Sequence, residues 1–374
     1  MLKRVSIQNF KSLKDVTLDL QKVNLLIGPN NSGKTNFLKA FNFMYQFLDG
    51  KRNIADSAHY KKDNRNHINV HLTFEEIVTD PFREGYRHLV LTKSFDYKGS
   101  EIYTTKFGWA ESLNTKDISF SENEDPGIEI LTDLTGEIIA YRPDPNQINR
   151  PGPLIVNAKQ VDAHCSNLIA FFDYIRDQYF DIFLRIQEDL SKCVPEFSQI
   201  NFQNTVPSDE QRKIFGERTF KKIGLSSSTQ GPIYWAEELS EGTLYFLALL
   251  CIINQPNPPK LLLLEEPEKG IHPRRIWEIM KFIFQLAEEK DVQVIMTTHN
   301  EHVVNAFSSM PESVFVFDKD EDTGATYVRN LQKDIIEPTN KKNEELGLDK
   351  VDLTSNLGEY WMYGLIGGVP ANVE

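Results

Sequence analysis

The sequence predicts an α/β fold: a mostly parallel sheet with crossover helices, split along the chain by an antiparallel β lobe and a helical lobe. Three observations carry it. Residues 23–41, VNLLIGPNNSGKTNFLKAF, have the pattern of a buried strand, a glycine-bracketed turn and a helix. Residues 233–332 repeat strand, helix, strand, the rhythm of a parallel sheet. Between them, short alternating segments separated by Gly, Asp and Asn run from Ile68, and apolar residues at helical spacing begin near Ser166. The expected boundaries are 1–50 for the first part of the core, 51–160 for the β-rich lobe and 161–232 for a helical or mixed lobe. The second part of the core follows at 233–332 and a tail at 333–374.

VSIQNFKSL and DVTLDLQKVNLLIG predict strands leading into the turn. The turn itself fits Gly-x-x-x-x-Gly-Lys-[Ser/Thr], and the strand before it and helix after it are the context a phosphate-binding loop requires. Gly28 and Gly33 let the backbone curl so that N–H groups converge on phosphate oxygens, aided by the positive end of the helix. Gly28, Pro29, Asn30, Asn31, Ser32, Gly33, Lys34, Thr35 and Asn36 therefore form the expected nucleotide cradle. Lys34 is placed to reach the terminal phosphates, and the Thr35 hydroxyl to hold magnesium. The expected ligand is a nucleoside triphosphate with magnesium.

The second half of the core supplies three more motifs. KLLLLEEPEKGIHP is an apolar strand with Glu265 and Glu266 at its C-terminal tip, where ligands bind in open α/β sheets. Two adjacent carboxylates, Glu265 and Glu266, can divide labour, one on the metal's water shell and the other on the attacking water. EELSEGTLYFLALL puts Ser240 at an N-cap with Gly242 in the first turn, which suits either an anion site or a plainly capped core helix. IMTTHNEHVV ends a strand on His299, which can hydrogen-bond a phosphate or position water.

Taken in order, GPNNSGKT, LSEGT, LLLLEEP and TTHN resemble the Walker A, signature, Walker B and switch-histidine motifs of ABC-class ATPases. The opening VSIQNFKSLKDVTLDL resembles the SMC, RecF and OLD branch. EEPEKGIHP and the closing LGEYWMYGLIGGVP are similar to stand-alone AAA-type ATP-binding proteins related to OLD, many of which serve bacterial anti-phage or mobile-element systems. The resemblance implies a P-loop NTPase of ABC-ATPase type with Lys34, Glu266 and His299 as catalytic residues. It implies magnesium at Thr35 and Glu265, and at Glu265 through water, because Glu stands where transporters and SMC proteins mostly carry Asp and its extra methylene shifts the carboxylate. Ser240 and Gly242 would contact ATP bound to a second subunit, so a homodimer or higher homo-oligomer is expected, with PEKGIHP at its seam. Ser-Glu-Gly stands where the common signature has Ser-Gly-Gly. A magnesium-sensing glutamine is left between Gln147 and Gln160.

Composition narrows the partners. A net charge of −13 repels nucleic acid and anionic membranes, so DNA contact would need a local patch such as Arg212, Lys213, Arg218, Lys221 and Lys222. The longest apolar stretch, Leu244 to Ile253, is half what a bilayer span needs, and the N-terminus is no signal peptide. Cys165, Cys193 and Cys251 are far apart, as in a reduced cytoplasmic protein. Asp318, Asp320 and Asp322 fall in a predicted hairpin turn rather than a metal site. The stretch after His299 is too short for the Toprim nuclease of full OLD proteins. The leading expectation is an ATP-hydrolysing, dimerising switch for a separately encoded effector in defence. A RecF/SMC-like DNA-maintenance ATPase and a non-hydrolysing ATP-binding scaffold are the alternatives.

Overall fold

The computed structural model describes residues 1–48, 60–62, 68–80, 83–95, 103–110, 119–120, 135–136, 138–269 and 271–369. The connection expected over residues 51–65 lies outside these except at 60–62. So do residues 128–134 and 137 of the strand expected in IEILTDLTGEIIAYRP, of which Ala140–Tyr141 forms a strand. Two compact units make up the chain. Unit 1 holds Met1–Ala140, Lys260–Glu266 and Leu286–Glu374; unit 2 holds Tyr141–Pro259 and Pro267–Gln285.

Unit 1 contains two sheets. In the mostly parallel one the order is Thr326–Asn330, Val314–Lys319, Val23–Ile27, Gln293–Thr297, Leu261–Glu265, then Ala140–Tyr141. Val23–Ile27 pairs in parallel with Gln293–Thr297 and with Val314–Lys319, and Val314–Lys319 pairs antiparallel with Thr326–Asn330. Val23–Ile27 and Gln293–Thr297 are buried at every position, as strands covered on both faces must be.

The second sheet is antiparallel, in the order Leu13–Asp19, Leu2–Phe10, Ile68–Asp80, Arg83–Phe95, Tyr103–Ala110, Ser119–Phe120. The two N-terminal strands thus join the meander and not the parallel sheet. Their burial explains it: in Leu13–Asp19 the apolar Leu13, Val16 and Leu18 are buried and Lys14, Asp15 and Thr17 exposed, the signature of a sheet with one wet face. Phe37, Leu38, Phe41 and Met44 of the helix Lys34–Leu48 pack in one apolar cluster with Val5, Ile7 and Phe10 of this sheet and Leu26, Leu263, Ile295 and Phe317 of the other. Phe37 meets Phe317 edge-on, with ring centroids 5.9 Å apart. A buried amide ties the sheets together as well: Gln293 accepts from Leu2 N–H at 3.0 Å and donates to its carbonyl at 2.8 Å.

Unit 2 holds the short helix Pro145–Ile148 and the helices Leu168–Gln178 and Phe180–Cys193. It adds a small antiparallel sheet of Gln199–Thr205, Phe220–Ser226 and Tyr234–Trp235, with Gly152–Pro153 beside Phe220–Ser226. The helix Glu241–Asn254 is buried at every position from Gly242 to Asn254, which its all-round apolar surface requires. Among the described residues no helix is long and apolar enough to cross a membrane.

Candidate functional site

The register of the parallel sheet decides where the chemistry gathers. Glu265 pairs with Thr297, and Thr297 with Leu26, so the three strands end level with one another. Gly28 leaves the first of these ends at φ 148°, and a Cβ there would sit 2.2 Å from the Phe317 carbonyl. Gly33 closes the turn at φ 107°, with Thr326 Oγ1 2.2 Å from where its Cβ would be. Both positions therefore exclude any side chain. Phe37 N–H donates to the Gly33 carbonyl at 2.9 Å, continuing the helix into the loop.

Lys34 is 5% exposed and curls over the turn, donating to the carbonyls of Gly28 at 2.7 Å and Pro29 at 2.9 Å. Burial pulls its pKa down to about 8, partly offset by the Glu266 carboxylate. An ammonium folded onto its own loop is a donor that incoming phosphates can recruit. Ser32 Oγ is buried with no hydrogen-bond partner, an acceptor and donor held ready inside the cradle. Thr35, by contrast, is exposed at the start of the helix, and Glu265 is half-buried at its strand tip. These features fit magnesium: one hydroxyl and one carboxylate suffice when phosphates and waters complete its octahedron. Among the described residues no cluster of three or more His, Cys, Asp or Glu forms a dedicated metal cage.

Glu266 has a left-handed backbone, φ 47°, uncommon for a residue with a side chain. Its N–H is held by Thr297, at 3.1 Å from the carbonyl and 3.3 Å from Oγ1. The turn aims the Glu266 carboxylate to within 3.8 Å of His299 Nε2, with the two side chains 29% and 35% exposed. Burial lowers the His299 pKa, Lys34 lowers it further, and Glu266 opposes them. Near pH 7 the imidazole is neutral, able to donate one hydrogen bond and accept one. Lys34, Glu266 and His299 thus feel each other's charge across one small space in unit 1.

Ser240 and Gly242 belong to unit 2. Ser240 is exposed and caps the helix Glu241–Asn254, accepting from Thr243 N–H at 3.1 Å, while Gly242 is buried. Capping fixes the serine and exposes it at the same time. Gln147 donates to Asp144 at 3.1 Å, and Gln160 offers its carbonyl to Asn167 at 2.8 Å, both within unit 2. In the basic cluster Arg212, Lys213 and Arg218 are exposed. Lys221 is paired with Asp173, and Lys222 stacks 4.1 Å over the Trp235 ring.

Asp318 lies in the predicted hairpin, and its role is to hold the C-terminal segment. It accepts from Arg329 at 2.8 Å and from the Gly368 N–H at 3.0 Å. Trp361 donates to the Gly368 carbonyl at 2.9 Å, and Gly358 N–H to Asn305 at 2.8 Å. The segment packs back on the core behind the phosphate loop: a Cβ on Gly368 would lie 3.4 Å from Gly28 Cα. Trp361→Ala is expected to lower stability by about 3 kcal/mol, the usual cost of emptying a buried tryptophan site. The midpoint of denaturant unfolding checks this, and an unchanged midpoint would mean the segment is not docked.

A parallel sheet carrying a glycine-rich loop, a buried lysine and paired carboxylates at its strand tips defines a P-loop nucleoside triphosphatase. Residues 23–305 match the family described as "AAA domain, putative AbiEii toxin, Type IV TA system", and the chain belongs to that family of AAA-type ATPases. The energy-coupling factor transporter ATP-binding protein EcfA2 of Clostridium perfringens is 28% identical over 120 residues, covering 32% of this chain and 38% of that protein. Endonuclease GajA of Bacillus cereus is 32% identical over 71 residues, 19% of this chain and 12% of GajA. The chain spans under half the length of these curated relatives. The SMC head domain of Pyrococcus furiosus, solved with an extended coiled coil and bound to the C-terminal domain of ScpA, shares the fold. Its TM-score is 0.50 at 13% identity, over 92% of this chain and 99% of that one.

Proposed function

We propose that the protein binds and hydrolyses Mg-ATP and acts as a dimerising switch for a separate effector protein in anti-phage or mobile-element defence. The observation that carries the hydrolysis is the convergence of Lys34, Glu266 and His299 on one face of the strand ends. Lys34 binds and orients the terminal phosphates. Glu266 takes a proton from water, and neutral His299, 3.8 Å from it, orients the water or the γ-phosphate. Magnesium, when bound through Thr35 and Glu265, neutralises phosphate charge.

The exposed Ser240 supports the dimer, because a signature serine that completes a second subunit's site must face outward. The defence role is supported by the family description, the likeness of EEPEKGIHP to OLD-related proteins and the local similarity to GajA. Arg212, Lys213 and Arg218 favour the DNA-maintenance reading, but Lys221 and Lys222 are engaged within unit 2.

Phosphate release and solution mass, measured with and without ATP and duplex DNA, separate these readings. Turnover with ATP-dependent growth in mass is the expected result. ATP binding with neither overturns the switch in favour of a scaffold. Stimulation by DNA with steep salt dependence favours the DNA-maintenance ATPase.

A further inference from the structure

Two residues outside every nucleotide motif, Ser12 and Thr326, reach the phosphate loop from beneath. Ser12 lies in the turn between Leu2–Phe10 and Leu13–Asp19, and Thr326 opens the last strand of the parallel sheet. Thr326 is 3% exposed. Its Oγ1 is 2.8 Å from the Ser32 carbonyl and 2.8 Å from Ser12 Oγ, and Asn36 Nδ2 donates to Ser12 Oγ at 2.9 Å. The backbone locks the pair, with Thr326 N–H donating to the Ser12 carbonyl at 2.8 Å.

A threonine hydroxyl has one proton, and a carbonyl can only accept. Thr326 Oγ1 donates toward both the Ser32 carbonyl and Ser12 Oγ, so its one proton is shared between two acceptors that together fix the direction of the hydroxyl. Ser12 Oγ accepts from both the Asn36 amide and Thr326 Oγ1, which anchors the threonine hydroxyl beside the Ser32 carbonyl. In a trans peptide the C=O and the following N–H point in opposite directions. Pulling the Ser32 carbonyl toward Thr326 aims the Gly33 N–H into the cradle, away from the floor.

We infer that Thr326, supported by Ser12, is a positioning residue for nucleotide binding: its hydroxyl orients the Ser32–Gly33 peptide so that the Gly33 N–H meets a phosphate oxygen. The same packing explains why position 33 must be glycine, since a Cβ there would lie 2.2 Å from Thr326 Oγ1 and 3.0 Å from Ser12 Oγ. The inference rests on the phosphate-loop reading.

The test compares Thr326→Val, which keeps shape and loses the hydroxyl, with Thr326→Ser, which keeps the hydroxyl. Mg-ATP affinity is measured by calorimetry and the Gly33 amide proton by NMR. Thr326→Val is expected to weaken Mg-ATP about tenfold, the scale of one misaimed hydrogen bond to a charged group. It should also shrink the downfield shift of the Gly33 amide on ATP binding. Thr326→Ser is expected within about twofold of wild type with the shift restored. Wild-type affinity and shift in the valine variant would overturn the role, and so would equal losses in both variants. Should Thr326→Val not fold, Ser12→Ala carries the test, with about threefold weaker binding and a reduced shift expected; no change in either overturns the inference. Wild type that binds no Mg-ATP overturns the phosphate-loop reading itself, whereas binding wild type with an equally good valine variant overturns the positioning role of Thr326 alone.

Discussion

Replacing Glu266 with Gln is expected to lower ATP turnover at least about a hundredfold, the low end of what a positioned general base contributes, while Mg-ATP binding survives. Gln fills the same space and keeps the backbone N–H held by Thr297, so the left-handed turn at φ 47° should persist. What it loses is the ability to accept a proton from water. The charge loss also has a direction elsewhere. Glu266 raises the pKa of both Lys34 and His299, so both should titrate lower in the variant. With hydrolysis blocked, the ATP-bound protein should accumulate as a stable dimer in solution-mass measurements. Turnover equal to wild type would remove Glu266 from the mechanism and leave Glu265 or His299 to be tested in its place.

The parts of this site that were legible in the sequence are those whose physics is local. Gly28 to Thr35 could be read because the spacing of glycines around a phosphate turn is a backbone requirement. The positive φ values at both glycines are that requirement seen in space. Leu261 to Glu265 could be read because four leucines in a row demand burial on both faces, and the carboxylates after them then fall at a strand tip. The sheet membership of Leu2–Phe10 could not. Alternation says that one face is wet but is silent on which strand comes alongside, and here the partners include Ile68–Asp80. Thr326 was hidden for the same reason. It meets Ser12 across nearly the whole length of the chain, and a lone threonine after TGA carries no periodic signal. Glu266 was named from its place beside Glu265, yet its left-handed backbone is visible only in the structure.

Lys34 provides the second large effect, and its sign follows from its surroundings. Burial holds its pKa down to about 8. Phosphate oxygens beside the amine would favour the ammonium, so the pKa rises on binding and a proton is taken up. Affinity for Mg-ATP is therefore expected to be steady below pH 8 and to fall above it, by up to about tenfold per pH unit, until the pKa of the bound state is reached. Lys34→Met should weaken Mg-ATP by about a hundredfold or more, as loss of a charge-assisted contact in a dry site implies. It should also flatten the pH dependence, which separates the lysine from any titration of the nucleotide itself. Calorimetry in buffers of different ionisation enthalpy counts the proton taken up near pH 8. No uptake by wild type, or the same pH profile in the methionine variant, would show that Lys34 keeps its bonds to the Gly28 and Pro29 carbonyls when nucleotide binds. The loop's backbone N–H groups would then hold the phosphates without it.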